Sequence, residues 1–194
     1  MTGKDDRARV RAIFEAAIVL HGQVAEGSLE GVTRAAAVIR EAQAAGGKLV
    51  IFGNGGSAAD AQHMAAELVN RFQRERDALA ALALSTDTSL LTSIANDSSF
   101  DRVFVRQIEA LGRPGDVALG ITTSGASASV VTALEAARSR GLKTIALTGR
   151  DGGAAARAAD IHVNVPHEST ARVQEVHRTL IHAICELVEG DEER

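Results

Sequence analysis

The sequence predicts an α/β fold in which a mostly parallel, doubly wound sheet is covered by helices on both faces, and three observations carry that expectation. Apolar runs of strand length occur at 48–52, 80–84, 117–121 and 143–147, with a weaker one at 161–165. They are continuous rather than alternating, which suits central strands covered on both faces. Helical patterns separate them, so strand and helix alternate along the chain. Two of the runs lead into turns, Gly53-Asn54-Gly55-Gly56-Ser57 and Thr122-Thr123-Ser124-Gly125-Ala126-Ser127, each opening an alanine-rich helical stretch.

Taken in order, Val10, Ile13, Phe14, Ala17 and Ile18 recur at helical spacing and predict a one-sided helix over 10–24. A second helix is expected over 29–45, stopped by Gly46-Gly47 just before the first strand. Further helices are expected over 58–72, 88–111 and 129–140. A closing helix over 170–189 carries the apolar stripe Val173, Val176, Leu180, Ile184 and Leu187. The reading is one domain over 1–194: a helical extension at about 7–46, an α/β core at about 47–166, and the closing helix. The first and last helices supply more apolar helical face than a five-stranded sheet needs, so self-association through helices is expected.

Composition excludes several classes. The formal net charge of −4 and pI near 5.9 give no general attraction to nucleic acid or to an anionic membrane. Trp and Tyr are absent and only 5 Phe are present, so recognition by stacking on bases or sugars is not expected. Cys185 is the single cysteine, which rules out an intrachain disulfide and suits a reducing compartment. No leader pattern and no apolar run near the roughly 20 residues of a membrane span are found, and a cytoplasmic protein is expected.

His63 and Glu67 lie four apart just after the first glycine turn, on one face of the expected helix. That spacing serves a metal, a base beside its orienting partner, or a plain surface pair. Gln174 and His182 share one side of the closing helix, with His177 between them. The TTSGAS turn offers the hydroxyls of Thr122, Thr123, Ser124 and Ser127 at a helix N-terminus, which suits either a phosphate or a helix capped by Ser127. The glycine turn matches neither G-x-G-x-x-G nor a Walker loop, so no nucleotide cofactor is expected. Asn96-Asp97 adds an amide and a carboxylate able to bind sugar hydroxyls, or reads as a turn.

GNGGSAADAQH followed by Glu67, then IANDSSF, TTSGAS, LTGRDGG and RVQEVHRTLIH, in unbroken order from about Lys48 to Glu189, resembles the sugar isomerase (SIS) domain family, and within it the isomerases of seven-carbon sugar phosphates. The resemblance implies a flavodoxin-like three-layer α/β/α sandwich, a homotetramer, and active sites formed between subunits. It implies conversion of sedoheptulose 7-phosphate to D-glycero-D-manno-heptose 7-phosphate through an enediol, toward the heptose of surface glycans such as lipopolysaccharide core. By residue match, Asn54, Gly55, Gly56, Ser57, Asn96 and Asp97 line the sugar, and Thr122, Thr123, Ser124 and Ser127 hold the phosphate. Glu67, Gln174 and Arg71, the last expected at the end of the helix carrying Glu67, also approach the substrate.

His63, Glu67, Gln174 and His182 match positions that surround zinc in metal-bound members, although a neutral amide is a weak zinc ligand. Glu67 is expected to take the carbon proton and His182 to move the oxygen proton, with Asp60 assisting ring opening or orienting a neighbour. A direct metal bond lowers the basicity of a carboxylate, so the two roles of Glu67 pull against each other. A related SIS protein that binds the bacterial replication initiator shares several motifs and offers a non-catalytic alternative. It lacks the counterparts of Glu67, His182 and Ser124, all present here. Ala171 stands where some of the isomerases carry an acid.

Overall fold

A computed structural model describes residues 3–190. Five parallel strands, β1 Leu49–Gly53, β2 Ala81–Ala83, β3 Val117–Thr122, β4 Lys143–Gly149 and β5 Ile161–Val165, lie in the order β2-β1-β3-β4-β5. Helices α1 Gly3–Gly27, α2 Leu29–Ala44, α3 Gly56–Val69 and α8 Thr170–Glu189 cover one face. Helices α4 Thr88–Asp97, α5 Val105–Leu111, α6 Ala128–Ser139 and α7 Gly153–Ala158 are associated with the other. The expected three-layer sandwich is therefore found.

Period-two alternation in the central strands divides the core between these layers. Leu49 and Ile51 of β1, Leu119 and Ile121 of β3, and Ile145 and Leu147 of β4 join the cluster under α2, α3 and α8. Their neighbours Val50, Phe52, Ala118 and Ala146 join the cluster under α5 and α6. Every residue of β1 and β3 is buried, which explains why those runs are continuously apolar.

Four expectations need correction. The 80–84 run is not a central strand: β2 pairs only with β1, forms an edge, and leaves Leu82 exposed. The 88–111 stretch is broken at Ser98, whose backbone leaves the helical region at φ −136° and ψ −94°, and a short 3-10 turn, Phe100–Arg102, separates α4 from α5. Helix α3 ends at Val69, so Arg71 lies beyond its end rather than on it. Helix α7 was not expected, because six residues after a left-handed Gly152 give no periodic signal. By contrast, the Gly46-Gly47 stop is where the sequence placed it: Gly46 has φ 78°, and the Gly47 N–H donates to the Ala42 carbonyl.

Candidate active site

Strand order reverses direction between β1 and β3, and open parallel sheets of this kind bind ligands beyond the carboxyl ends of the strands at that point. The turns after these two strands meet there. Asn54 donates its side-chain amide to Ser127 Oγ at 2.9 Å and to Ser129 Oγ at 3.0 Å, tying the glycine turn to the hydroxyl turn. Ser127 does occupy the N-cap position of α6, yet its hydroxyl receives Asn54 instead of capping the helix. Ser124 Oγ accepts from the Ala126 N–H at 3.2 Å and lies 3.3 Å from the hydroxyl of the buried Thr122.

Together Asn54, Gly55, Gly56, Ser57, Thr122, Thr123, Ser124, Ser127 and Gln174 line a pocket of about 340 Å³. Its wall depends on Gly56, where a β-carbon would collide with the Gln174 carboxamide. Asn96 and Asp97 are not part of it. They are the exposed last residues of α4, hydrogen-bonded to each other at 2.7 Å, and Asp97 opens on a separate depression with Arg102 and Arg106.

Helices α3 and α8 run side by side, with contacts that step along both at one-turn intervals. Gln174 packs on Gly56, the Arg178 guanidinium reaches the Asp60 carboxylate at 2.6 Å, and His182 Nε2 meets His63 Nε2 at 2.8 Å. Glu67, one turn beyond His63, lies 3.2 Å from His63 Nε2. The pairing of helices thus brings His63, Glu67 and His182 together, with one potential ligand atom from each lying within 4.8 Å of the others. Two imidazole nitrogens facing each other require one to donate and the other to accept, or a cation between them. The set matches that of a catalytic metal site with three protein ligands and an open position.

Burial, reinforced by Arg178, holds His63 below the ordinary histidine value, which favours the neutral ring a metal requires. Burial also raises Asp60 above the usual carboxylate range, against the opposing pull of Arg178 and His63. The Phe72 ring lies 5.5 Å from that of His182 and walls the cluster.

Gln174 is not brought to this cluster within one chain. Eight residues of helix, about 12 Å of rise, separate it from His182, and its carboxamide lies at the other end of the paired helices. Arg71 is half exposed and pairs with Glu75 at 3.1 Å. Arg178 escaped the sequence reading. The signal was present, since Gln174, Arg178 and His182 repeat every four residues along one stripe of α8.

The chain belongs to the SIS domain family, whose profile matches residues 8–149. It is similar throughout to proteins named phosphoheptose isomerase. The one from Thiobacillus denitrificans is 50% identical over 185 residues, 94% of this chain and 94% of that protein. The structure of phosphoheptose isomerase GmhA from Neisseria gonorrhoeae is 47% identical with a TM-score of 0.90, covering 95% of this chain and 99% of that one. That of a phosphoheptose isomerase from Francisella tularensis is 34% identical with a TM-score of 0.92, covering 98% and 100%.

Proposed function

We propose that the chain is an aldose–ketose isomerase that converts sedoheptulose 7-phosphate to D-glycero-D-manno-heptose 7-phosphate. The observation that carries the reading is the convergence of His63, Glu67 and His182. The hydroxyl pocket at the sheet's switch point and the match to phosphoheptose isomerases over nearly the whole chain support it. These relatives are isomerases by name, and the initiator-binding alternative gains nothing from them.

The phosphate is held by the hydroxyls and amides of Thr122, Thr123, Ser124 and Ser127, with the N-terminus of α6 favouring its charge. Asn54, Gly55, Gly56, Ser57 and Gln174 face the sugar; Asn96, Asp97 and Arg71 lie outside that pocket within one chain. Glu67 removes a proton from C1 while His182 delivers one to the C2 carbonyl oxygen, giving the enediol. Glu67, its side chain 22% exposed and open to proton exchange with water, then protonates C2, and His182 withdraws the proton on O1, so that C1 becomes the aldehyde carbon. Asp60, locked to Arg178 between the two helices, orients the pair that presents His63 and His182. His63, His182 and Glu67 would hold zinc, which supplies polarisation of the reacting oxygens when bound, and metal binding lowers the basicity of Glu67 and His182, so their ligand and proton-transfer roles compete.

The two halves of the site support assembly from two copies of the chain. From Gly56 to Glu67 the helix rises about 16 Å, more than the carbon chain of a heptose phosphate covers between its reacting carbons and its phosphorus. A triad from one subunit opposite the hydroxyl pocket of another closes that gap, and a neighbour's Gln174 then completes the zinc set. The exposed stripe on α1, with Phe14 at 65% and Ile18 at 69% accessible, supports a helix-mediated homotetramer. Among the described residues no helix is long and apolar enough to cross a membrane. We place the reaction in the cytoplasm, with the product directed to activated heptose for surface glycans.

Purified protein incubated with sedoheptulose 7-phosphate should form the aldose product. Zinc add-back should restore what a chelator removes, and Glu67→Gln should lower turnover by about 100-fold or more. A folded, zinc-loaded oligomer that forms no product would overturn the reading.

A further inference from the structure

The last residue of α8 is an acid that does not face solvent. The Glu189 side chain is 2% exposed, and its carboxylate accepts from three successive backbone N–H groups: Phe72 at 3.1 Å, Gln73 at 3.0 Å and Arg74 at 3.2 Å. Burial alone would push Glu189 up, but the three N–H donors and the nearby Arg76 outweigh it and hold the carboxyl below its ordinary value. Arg76 Nε lies 3.4 Å from the same carboxylate. Its two terminal nitrogens continue the network, donating to the Glu67 carbonyl at 2.8 Å and to the Leu68 carbonyl at 2.9 Å.

These carbonyls belong to the last turn of α3, where the helix leaves acceptors without intrahelical partners. A guanidinium is an apt cap for them, as a cation at a helix C-terminus with a fork of donors. The network therefore runs from the end of α8 through Glu189 and Arg76 to the backbone of Glu67. The intervening loop carries Arg71 and Phe72, and Phe72 packs against His182. Three residues assigned to the reacting end of the site hang on one buried ion pair outside it.

We propose that Glu189 and Arg76 are positioning residues: their clasp fixes the end of α3 and the 70–74 loop, and so sets where Glu67 and Arg71 stand toward the reacting carbons. This rests on the isomerase reading above. The clasp touches nothing in the hydroxyl pocket, so its loss should act on turnover and leave capture of the phosphate alone.

The test uses the full-length protein with Glu189→Gln, Arg76→Lys and the double variant. Gln offers a single acceptor oxygen and turns an N–H2 toward backbone N–H groups, while Lys keeps the charge but loses the fork. The expectation for each single variant is a fall in kcat of about 10-fold or more, as for a misplaced catalytic group. KM for sedoheptulose 7-phosphate and inhibition by inorganic phosphate should change by less than about threefold. Because both residues act through one clasp, the double variant should lose no more than the worse single one. If Glu189→Gln fails to fold, Arg76→Lys carries the test. Folded variants with kcat within about twofold of the parent, a rise in KM at constant kcat, or multiplying losses would each overturn the proposal. An inactive parent would instead show that the isomerase reading itself has failed, and the proposal falls with it.

Discussion

His177 should make the fold acid-sensitive by an amount that can be worked out from its surroundings. Its ring is fully buried between α8 and β4, Nε2 donates to the Thr148 carbonyl at 3.0 Å, and Nδ1 has no partner. Desolvation lowers its pKa from 6.5 to about 4, with the Thr148 hydrogen bond pulling weakly the other way. A histidine whose pKa is depressed in the folded state binds its proton more readily when unfolded. Stability is therefore at its plateau above the unfolded value of 6.5 and falls with pH until about pH 4, where the folded ring also protonates. These values give a loss of about 2 kcal/mol near pH 5 and about 3 kcal/mol near pH 4.

Urea unfolding across this range, at fixed protein concentration, measures the slope, and His177→Gln isolates it. Gln can still donate to Thr148 but cannot be protonated, so the variant should be flatter with pH than the parent by about the stated amounts. Parallel pH profiles for the two proteins would refute the assignment of a buried neutral imidazole.

Other outcomes follow from the same geometry. Ser124→Ala removes one of the hydroxyls proposed to hold the phosphate and should raise KM by about 5- to 10-fold, roughly 1 kcal/mol of lost hydrogen bonding, with a smaller fall in kcat seen in the same steady-state assay. Gly56→Ala puts a methyl where the Gln174 carboxamide lies and, because that flexible amide end can swing aside, should displace Gln174 and weaken substrate capture while changing stability in urea unfolding by less than about 1 kcal/mol. Ile18→Glu places a charge on the exposed stripe of α1 and should shift the sedimentation profile from the proposed tetramer toward smaller species, with activity falling in step. On the proposed assembly of each site from two subunits, mixing Glu67→Gln subunits with subunits in which Ser124→Asp repels the phosphate should regain activity that neither variant has alone, because a fraction of the sites is then intact.

What the sequence made legible, and what it did not, divides along physical lines. The closing helix and β5 were read to their ends, because the 3.6-residue stripe from Val173 to Leu187 and the run 161–165 are local signals. The edge position of β2 was not legible, since its Ala-Leu-Ala-Leu run looks the same whether one neighbour or two covers it. At the site, residue types and spacing marked His63, Glu67 and the hydroxyl turn. Distances between elements decide the rest. Nothing local says that Gln174 falls two helical turns from His182's partners while Arg178 closes on Asp60. Nor does the sequence reveal that Glu189, an acid near the end of a helix, is buried against the backbone of Phe72, Gln73 and Arg74. Its partners are more than a hundred positions away, beyond the reach of any periodicity.

The most direct test of the central claim is the fate of the carbon-bound proton. With sedoheptulose 7-phosphate in deuterium oxide, proton transfer through an enediol predicts deuterium at C2 of the heptose product and, on reversal, at C1 of the ketose, with Glu67→Gln abolishing both. Product formed without any deuterium, or deuterium entering at the parent rate in Glu67→Gln, would contradict the account.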